Sequence, residues 1–414
     1  MTRLEDLPIF KQIHSFLIIG AYDGVGNEEH LPALLQAGVK GTFVEPVPQS
    51  FARLKANHPN HQLLNFAVSD KSGELQMLVI DPASKEDVID FEMWAGSSSV
   101  KGAARNNLRK RQDIQEITVP CLTFEDLTKE AGLKDVDYLQ IDTEGCDWLI
   151  FQQVDLRRYG ILAISIETMW LTGEERAAVH QKLRFYKYKF DDDGCSLLAW
   201  VEPADLKPRF DYRTNQYSTH QPVLWHYAKK VKQKPILELG SGFGSTPLLH
   251  THCQEHGLNL WTADGDLLWL KKFRPMQSDK HQLCGIRMLN SEDLEDWEKF
   301  LTQMSYRDWG LVFVDQAPWL ARIMAIRLLK DSCDYMVVHD FDWYVTQGMF
   351  GKQIGELTQD NAPEYDLSDE FEHWRCFFPE VPWPGVTGPP TLVVSQRIAE
   401  LTAPNPGELE KDFL

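Results

Sequence analysis

The sequence predicts two doubly wound α/β domains in tandem, each a mostly parallel sheet closed by a terminal antiparallel hairpin. Three observations carry that expectation. Short apolar runs alternate with segments of helical period along both halves of the chain. An apolar run ending in a glycine-rich turn occurs twice, as "FLIIGAYDGVGNEE" (16–29) and "ILELGSGFGSTPLLH" (236–250), and the intervals between strand-end residues recur. Near-continuous apolar strands separated by helices imply sheets covered on both faces. A chain of 414 residues exceeds one ordinary core, so we place the domains at residues 1–205 and 206–414.

The elements follow in order. "SFLIIG" (15–20) is a strand, "LPALLQAG" (31–38) a helix, "KGTFVEPVP" (40–48) a strand ending in an acid, and "QSFARLKANH" (49–58) a helix. "HQLLNFAVSD" (61–70) is the third strand, and "LTFEDLTKEAGL" (122–133) a helix capped by Thr123 with Gly132 past its end. "VDYLQID" (136–142) and "ILAISIE" (161–167) are buried strands, and "FYKYKFDDDGCSLLAWVEP" (185–203) is a hairpin turning at Asp-Gly. The polar stretch 202–218, which lacks a period, reads as the linker. The second half repeats the pattern. It has strands in "KPILELG", "LNLWTADGD", "HQLCGIRMLNSED", "WGLVFVDQ" and "CDYMVVHDFD", helices in "TPLLHTHCQEHG" and "WLARIMAIRLLKD", and a closing hairpin from "WRCFFPE" and "PTLVVSQ".

The spacings make the repetition quantitative. Gly20 to Glu45 is 25 residues and Gly240 to Asp264 is 24; Asp142 to Glu167 is 25 and Asp315 to His339 is 24. One interval differs: Asp70 to Asp142 is 72 residues, against 22 from Asp293 to Asp315, which places an insertion around 80–117 of the first half.

Composition narrows the function classes. The formal charge of −19 repels a polyanion, so no nucleic-acid partner is expected. The basic cluster "RNNLRKR" (105–111) reads as a solvated helix face or as a clamp for a substrate phosphate. No apolar run reaches the roughly 18–20 residues of a membrane span, and the first residues do not pattern as a secretory signal. Seven scattered cysteines without a CxxC pair fit reduced thiols, so a cytoplasmic protein with no membrane partner is expected. A homo-oligomer is compatible with this reading.

A glycine-rich turn after the first strand of a doubly wound sheet lets a ligand approach the backbone, and an acid ending the second strand can accept hydrogen bonds from ribose hydroxyls. Residues 240–245 read "GSGFGS", shorter than the GxGxxG of dinucleotide sites and suited to a nucleoside without pyrophosphate. With Glu238 on the strand, an acid 24 residues on and "LNSED" after the third strand, the expected ligand is S-adenosylmethionine. Gly240, Gly242 and Gly244 would face its amino acid portion, and Asp264 or Asp266 its ribose, Asp264 being preferred.

Residues 16–170 resemble the FkbM family of S-adenosylmethionine-dependent methyltransferases. The matching stretches are "IIGAYDGVGNEE", "FVEPVPQSFARLKAN", "NFAVSDKSGELQ", "SSSV", "VPCLTFEDL", "VDYLQIDTEGCDWLIF" and "ISIE", in family order. The resemblance implies Gly20, Ala21, Asp23 and Gly24 at the cofactor and Glu45 on the ribose. Ile18 stands where the family usually has aspartate, and Gln140 where lysine usually precedes "ID". Residues 218–345 are similar to a second class I methyltransferase domain, which implies a Rossmann-like fold for both halves.

In such a sheet the acceptor lies beyond the carboxyl ends of the strands. That places Asp142, Glu144 and Glu167 near the methyl in the first domain, and Asp315, His339 and Asp340 in the second, as candidates to take a hydroxyl proton. Asp315, Asp340 and Asp342 could also hold magnesium, which prefers oxygen ligands, and His339 is a base or a ligand. The structural alternatives are a network bracing the turn "DTEG" and a His339–Asp340 pair tying down a loop. Ser97, Ser98 and Ser99 could line the acceptor. Trp94, Trp170, Trp200, Trp343, Trp374 and Trp383 could stack on sugar rings or pack in the core. The FkbM resemblance implies O-methylation of a sugar, glycan or small-metabolite hydroxyl. The alternatives are a scaffold built of degenerate methyltransferase folds and, further off, a nucleotide-sugar enzyme.

Overall fold

Alternating apolar runs and helices produce the same strand order twice. The computed structural model describes residues 2–25, 30–80, 99–100, 114–288, 293–340, 371–379, 388–405 and 411. It divides into two units, Met1–Pro203 and Ala204–Leu414. Among the described residues no helix is long and apolar enough to cross a membrane.

In the first unit the strands are β1 (Ser15–Ile19), β2 (Lys40–Val44), β3 (Gln62–Leu64), β4 (Ala67–Val68), β5 (Gly73–Ile80), β6 (Ser99–Val100), β7 (Ile114–Leu122), β8 (Tyr138–Ile141), β9 (Ala163–Glu167), β10 (Lys189–Asp192) and β11 (Ser196–Trp200). Seven form one sheet in the order β10-β11-β9-β8-β1-β2-β3, with β10 and β11 antiparallel and the rest parallel. The second unit has β12 (Ile236–Leu239), β13 (Leu260–Asp264), β14 (His281–Gly285), β15 (Trp309–Val314), β16 (Cys333–His339), β17 (His373–Phe377) and β18 (Thr391–Ser395). Their order is β14-β13-β12-β15-β16-β18-β17, the same topology, with β18 antiparallel to both neighbours. The central strands β8, β12 and β15 are buried throughout, as a sheet covered on both faces requires. In the second unit one apolar cluster around Trp297, Trp309 and Met336 and another around Tyr227, Leu249 and Phe313 build the core.

Local signals set the helix ends. Thr123 accepts from the Asp126 N–H, and Thr172 forms a capping box with Glu175 at the helix Gly173–Phe185. Gly257 closes Thr246–His256 in the left-handed region. The Asp193–Gly194 turn joins β10 to β11, with Asp193 Oδ1 accepting from the N–H groups of Cys195 and Ser196.

Two readings need correction. The stretch 61–70 is not one strand: β3 stays in the main sheet, while β4 pairs with β7 in a second sheet of order β4-β7-β5-β6. Asn65 marks the change of sheet, its Nδ2 donating to the Glu45 and Pro46 carbonyls. Nor is 202–218 all linker. Tyr212 is buried in the second core, and Gln221 Nε2 donates to the Gly244 carbonyl and to the Arg209 carbonyl. A single aromatic anchor in a polar run leaves no periodic signal.

Candidate active site

In both sheets the strand order reverses beside the first strand, between β1 and β8 and between β12 and β15, which is where open α/β sheets bind ligands. Each reversal point carries a glycine turn against the end of the neighbouring strand. Gly20 has φ +86°, and a Cβ there would collide with the Asp142 carbonyl oxygen. Gly240 has φ +91°, and its Cβ would stand 2.6 Å from the Asp315 carbonyl oxygen. Only glycine meets both demands.

The acid that ends the second strand ties down each turn in the same manner. Glu45 Oε2 accepts from the Tyr22 N–H (2.8 Å) and Oε1 from the Val47 N–H (2.9 Å). Asp264 Oδ2 accepts from the Ser241 N–H and hydroxyl (2.8 and 2.7 Å), and Oδ1 from the Asp266 N–H (2.8 Å). Burial pushes the Glu45 carboxyl up to about 7 and the Asp264 carboxyl up to about 6, against the opposing pull of those N–H groups. The Asp266 side chain instead caps Leu267–Leu270 through the Trp269 N–H.

Gly20, Tyr22, Glu45, Asp142, Thr143 and Glu144 line one pocket at this reversal point. Ala21, Asp23 and Gly24 are not among its lining residues. Ala21 is buried with its N–H on the Val44 carbonyl, while the Asp23 and Gly24 carbonyls accept from Asn57 Nδ2 and face His58 Nε2. The turn is thus held from beneath by the helix Pro48–Asn57 and by His58 just past its end. Tyr22 is left-handed (φ 49°), with Arg53 stacked 4.9 Å over its ring.

Glu238 is fully buried, with Oε1 accepting from Thr246 (2.9 Å) and Oε2 from Thr262 (2.7 Å), so it braces the turn. Burial pushes its carboxyl up to about 7. Thr246 in turn accepts from the Gly242 N–H, linking the acid to the glycines. At the equivalent place in the first unit, Ile18 pairs with Phe43 where Glu238 pairs with Thr262, and the brace is apolar.

At the acceptor end of the first unit one carboxylate oxygen each from Asp142, Glu144 and Glu167 lies within 4.8 Å of the others. Glu144 is left-handed (φ 55°), and Asp147, unforeseen from the sequence, holds the turn. Its Oδ1 accepts from Thr143 N–H (2.8 Å) and hydroxyl (3.1 Å), and its Oδ2 from the Gly145 N–H (3.1 Å). Glu167 accepts from Trp170 Nε1 at 2.8 Å, and Trp170 is 40% exposed. Asp142 and Glu167 also border a second cavity, of about 180 Å³, with Gln140 and Met169.

The second unit gathers Asp315, His339 and Asp340 around two residues the sequence reading missed, Arg322 and His220. Arg322 NH2 lies 2.9 Å from Asp315 Oδ1 and NH1 3.8 Å from Asp340 Oδ2, while its other donors meet the Gln316 and His339 carbonyls. The guanidinium places a cation between Asp315 and Asp340, two of the three acids that could have held magnesium. His339 Nδ1 faces Asp315 Oδ2 at 3.2 Å. His220 packs on His339 with ring centroids 4.3 Å apart. Burial works to raise the Asp315 carboxyl, yet His339 and Arg322 hold it below the ordinary range. Arg322 is one of two arginines in the otherwise apolar helix Trp319–Leu329, and the buried one; His220, just before a helix, carried no mark in the sequence. Asp342, Ser97, Ser98, Trp94, Trp343, Trp383, residues 105–111 and 289–292 lie outside the described residues.

Each unit thus sets a glycine turn at the reversal point of a Rossmann-like sheet, held by the carboxylate that follows or ends the next strand. Residues 19–190 match the family model of the methyltransferase FkbM domain, and the first unit carries that domain. The family implies an S-adenosylmethionine-type donor, and the bare glycine turn and the Glu45 carboxylate of the first unit are compatible with one. Among solved structures the chain is similar to the methyltransferase FkbM from Methylobacillus flagellatus KT (9% identity, TM-score 0.29), over 48% of each chain. It is also similar to human methyltransferase-like protein 13 in complex with SAH (14%, 0.30; 47% of this chain, 88% of that). A third likeness is to Haemonchus contortus phosphoethanolamine N-methyltransferase 1 (9%, 0.29; 92% and 87%). Such distant likenesses carry none of the assignment, which rests on the family match. The chain spans about half the length of the Methylobacillus protein. No curated protein matches it.

Proposed function

We propose that the protein is an S-adenosylmethionine-dependent O-methyltransferase with a donor pocket in each unit, acting on a hydroxyl of a sugar, glycan or small metabolite. One observation supports this above the rest: Glu45 and Asp264 each accept from a backbone N–H of the glycine turn, Tyr22 in one and Ser241 in the other, and from the N–H two residues past the acid, so both units set a carboxylate beside the turn. When bound, the donor supplies an electron-poor methyl carbon on a sulfonium. Backbone at Gly20 and Tyr22, and at Gly240 to Gly244, would hold its amino acid portion, with Glu45 and Asp264 accepting from the ribose hydroxyls. Displacement at that carbon is in line, so positioning of the acceptor supplies much of the rate. Asp142, Glu144 and Glu167 stand at the strand ends where the acceptor hydroxyl would enter, and one of the three takes its proton. Asp315, His339 and Asp340 occupy the equivalent place in the second unit.

The test is calorimetric titration of the full chain with S-adenosylhomocysteine, followed by methyl transfer from labelled donor to hydroxylated and amine acceptors. Two binding events, one lost in Glu45→Gln and one in Asp264→Asn, are expected, with label on hydroxyls. No binding to either unit ends the enzyme reading, and label on amines alone ends O-methylation.

A further inference from the structure

The second unit holds a group of donor atoms of which one, on His220, is left unused by the methyl-transfer reading. His220, Asp315 and His339 each direct one ligand atom to a common space, all within 4.8 Å of one another. We propose that these three residues bind a divalent transition cation with affinity for nitrogen, of the zinc type, independently of whether the unit binds a methyl donor.

Four features of the cluster point there. The first is His220. It is only 3% exposed, and among the described residues neither ring nitrogen makes a hydrogen bond; the Gly244 backbone stands near but outside hydrogen-bond geometry. A buried imidazole with two unsatisfied nitrogens is a costly arrangement that calls for a missing partner. The second is spacing. Bonds of about 2.0–2.1 Å to a tetrahedral ion set ligand atoms roughly 3.3 Å apart, and His339 Nδ1 lies 3.2 Å from Asp315 Oδ2. Only His220 must close in.

The third is the outer partners. His339 Nε2 faces Asp340 Oδ1 and Thr219 Oγ1, each at 3.4 Å, so a carboxylate and a hydroxyl stand behind a ring whose other nitrogen points at the space. Binding would shift the His339 proton from Nδ1 to Nε2. Thr219 can accept it there because its own hydroxyl hydrogen goes to the Pro389 carbonyl. Arg322 occupies Asp315 Oδ1 and leaves Oδ2 to the ion. The fourth is donor chemistry. Two imidazoles and one carboxylate suit zinc, cobalt or copper, whereas magnesium asks for oxygen throughout. Three protein ligands leave one position open, as in catalytic rather than structural sites. That position lies at the ends of β15 and β16, beside the glycine turn that His220 touches at Gly244.

The experiment uses the full chain, stripped with a chelator and titrated with Co²⁺. One equivalent per chain with the intense visible absorption of four-coordinate cobalt, displaced by Zn²⁺, is expected. His220→Ala should weaken binding at least tenfold, and His339→Ala should abolish the band. A folded wild-type protein that develops no such band overturns the proposal without recourse to any variant. Binding unchanged in both His variants overturns it as well. Loss of the band in Glu167→Gln would move the ion to the carboxylates of the first unit and overturn it too.

Discussion

Replacing Asp264 by asparagine separates its work on the fold from its work on the ligand. The carboxylate accepts three hydrogen bonds, from the Ser241 N–H and hydroxyl and the Asp266 N–H. An amide has one acceptor oxygen, so in either orientation its NH₂ opposes a donor, at a cost of about 1.5–3 kcal/mol for a hydrogen bond to a charged group. Against this, burial lifts the carboxyl from 3.8 to about 6, so at neutral pH its ionised form weighs on the fold by roughly 3 kcal/mol. The two terms nearly cancel, and stability should change little. Affinity has no such offset, because the variant also loses an acceptor for ribose hydroxyls. Binding of S-adenosylhomocysteine in that pocket should weaken about 10–100-fold, or about 1.4–2.8 kcal/mol.

The pH dependences run in opposite directions. A folded pKa above the unfolded one gives Asp264 a stabilising contribution that is full below 3.8 and is lost as pH rises through about 6. Ligand binding needs the carboxylate, so wild-type affinity falls by up to about tenfold per pH unit below about 6, while the asparagine variant is flat. Calorimetry with S-adenosylhomocysteine on either side of that pH reads both effects. An asparagine variant with unchanged affinity, or with the wild-type pH profile, removes the carboxylate from the donor pocket.

Other outcomes follow from the same contacts. Gly20→Ala meets both a left-handed φ and the Asp142 carbonyl, so denaturant unfolding should show a loss above about 2 kcal/mol, with donor binding lost in the first unit. Thr262→Val strips a donor from buried Glu238. It should cost about 1–3 kcal/mol, more above pH ~7 where the carboxyl is ionised, as thermal melts at two pH values would show. Arg322→Met leaves Asp315 and Asp340 without their cation, and an equilibrium unfolding loss of about 3–5 kcal/mol is expected.

Much of the fold is legible in the sequence because parallel strands must be apolar on both faces and their connections must be helical. "SFLIIG", "ILELG" and "WGLVFVD" announce themselves on that ground, and the Asp-Gly in 191–194 and the Thr172 box are local chemistry. The 24- and 25-residue intervals recur because each counts one helix and one strand of the same topology. The insertion was legible only as a length. That its strands form a sheet with β4, and that Asn65 ends β3's partnership, depends on pairings between residues some fifty positions apart.

The sites divide in the same way. A turn's need for glycine and a strand-end acid are sequential facts: Gly240 and Asp264 were singled out by motif and spacing, Gly20 and Glu45 by the FkbM resemblance. What each group faces is not sequential. Glu238 turns inward to two threonines, Asp23 and Gly24 back onto a helix, Asp147 into its own turn, and Arg322 and His220 toward Asp315 from elements 100 residues apart. By itself the sequence determined where strands end and which turns must be bare of side chains, since period and steric demand act between near neighbours. Only the tertiary structure decided which carboxylates meet the N–H groups of a turn and which meet a threonine or a guanidinium, because burial and charge pairing are set by whatever the rest of the chain brings alongside.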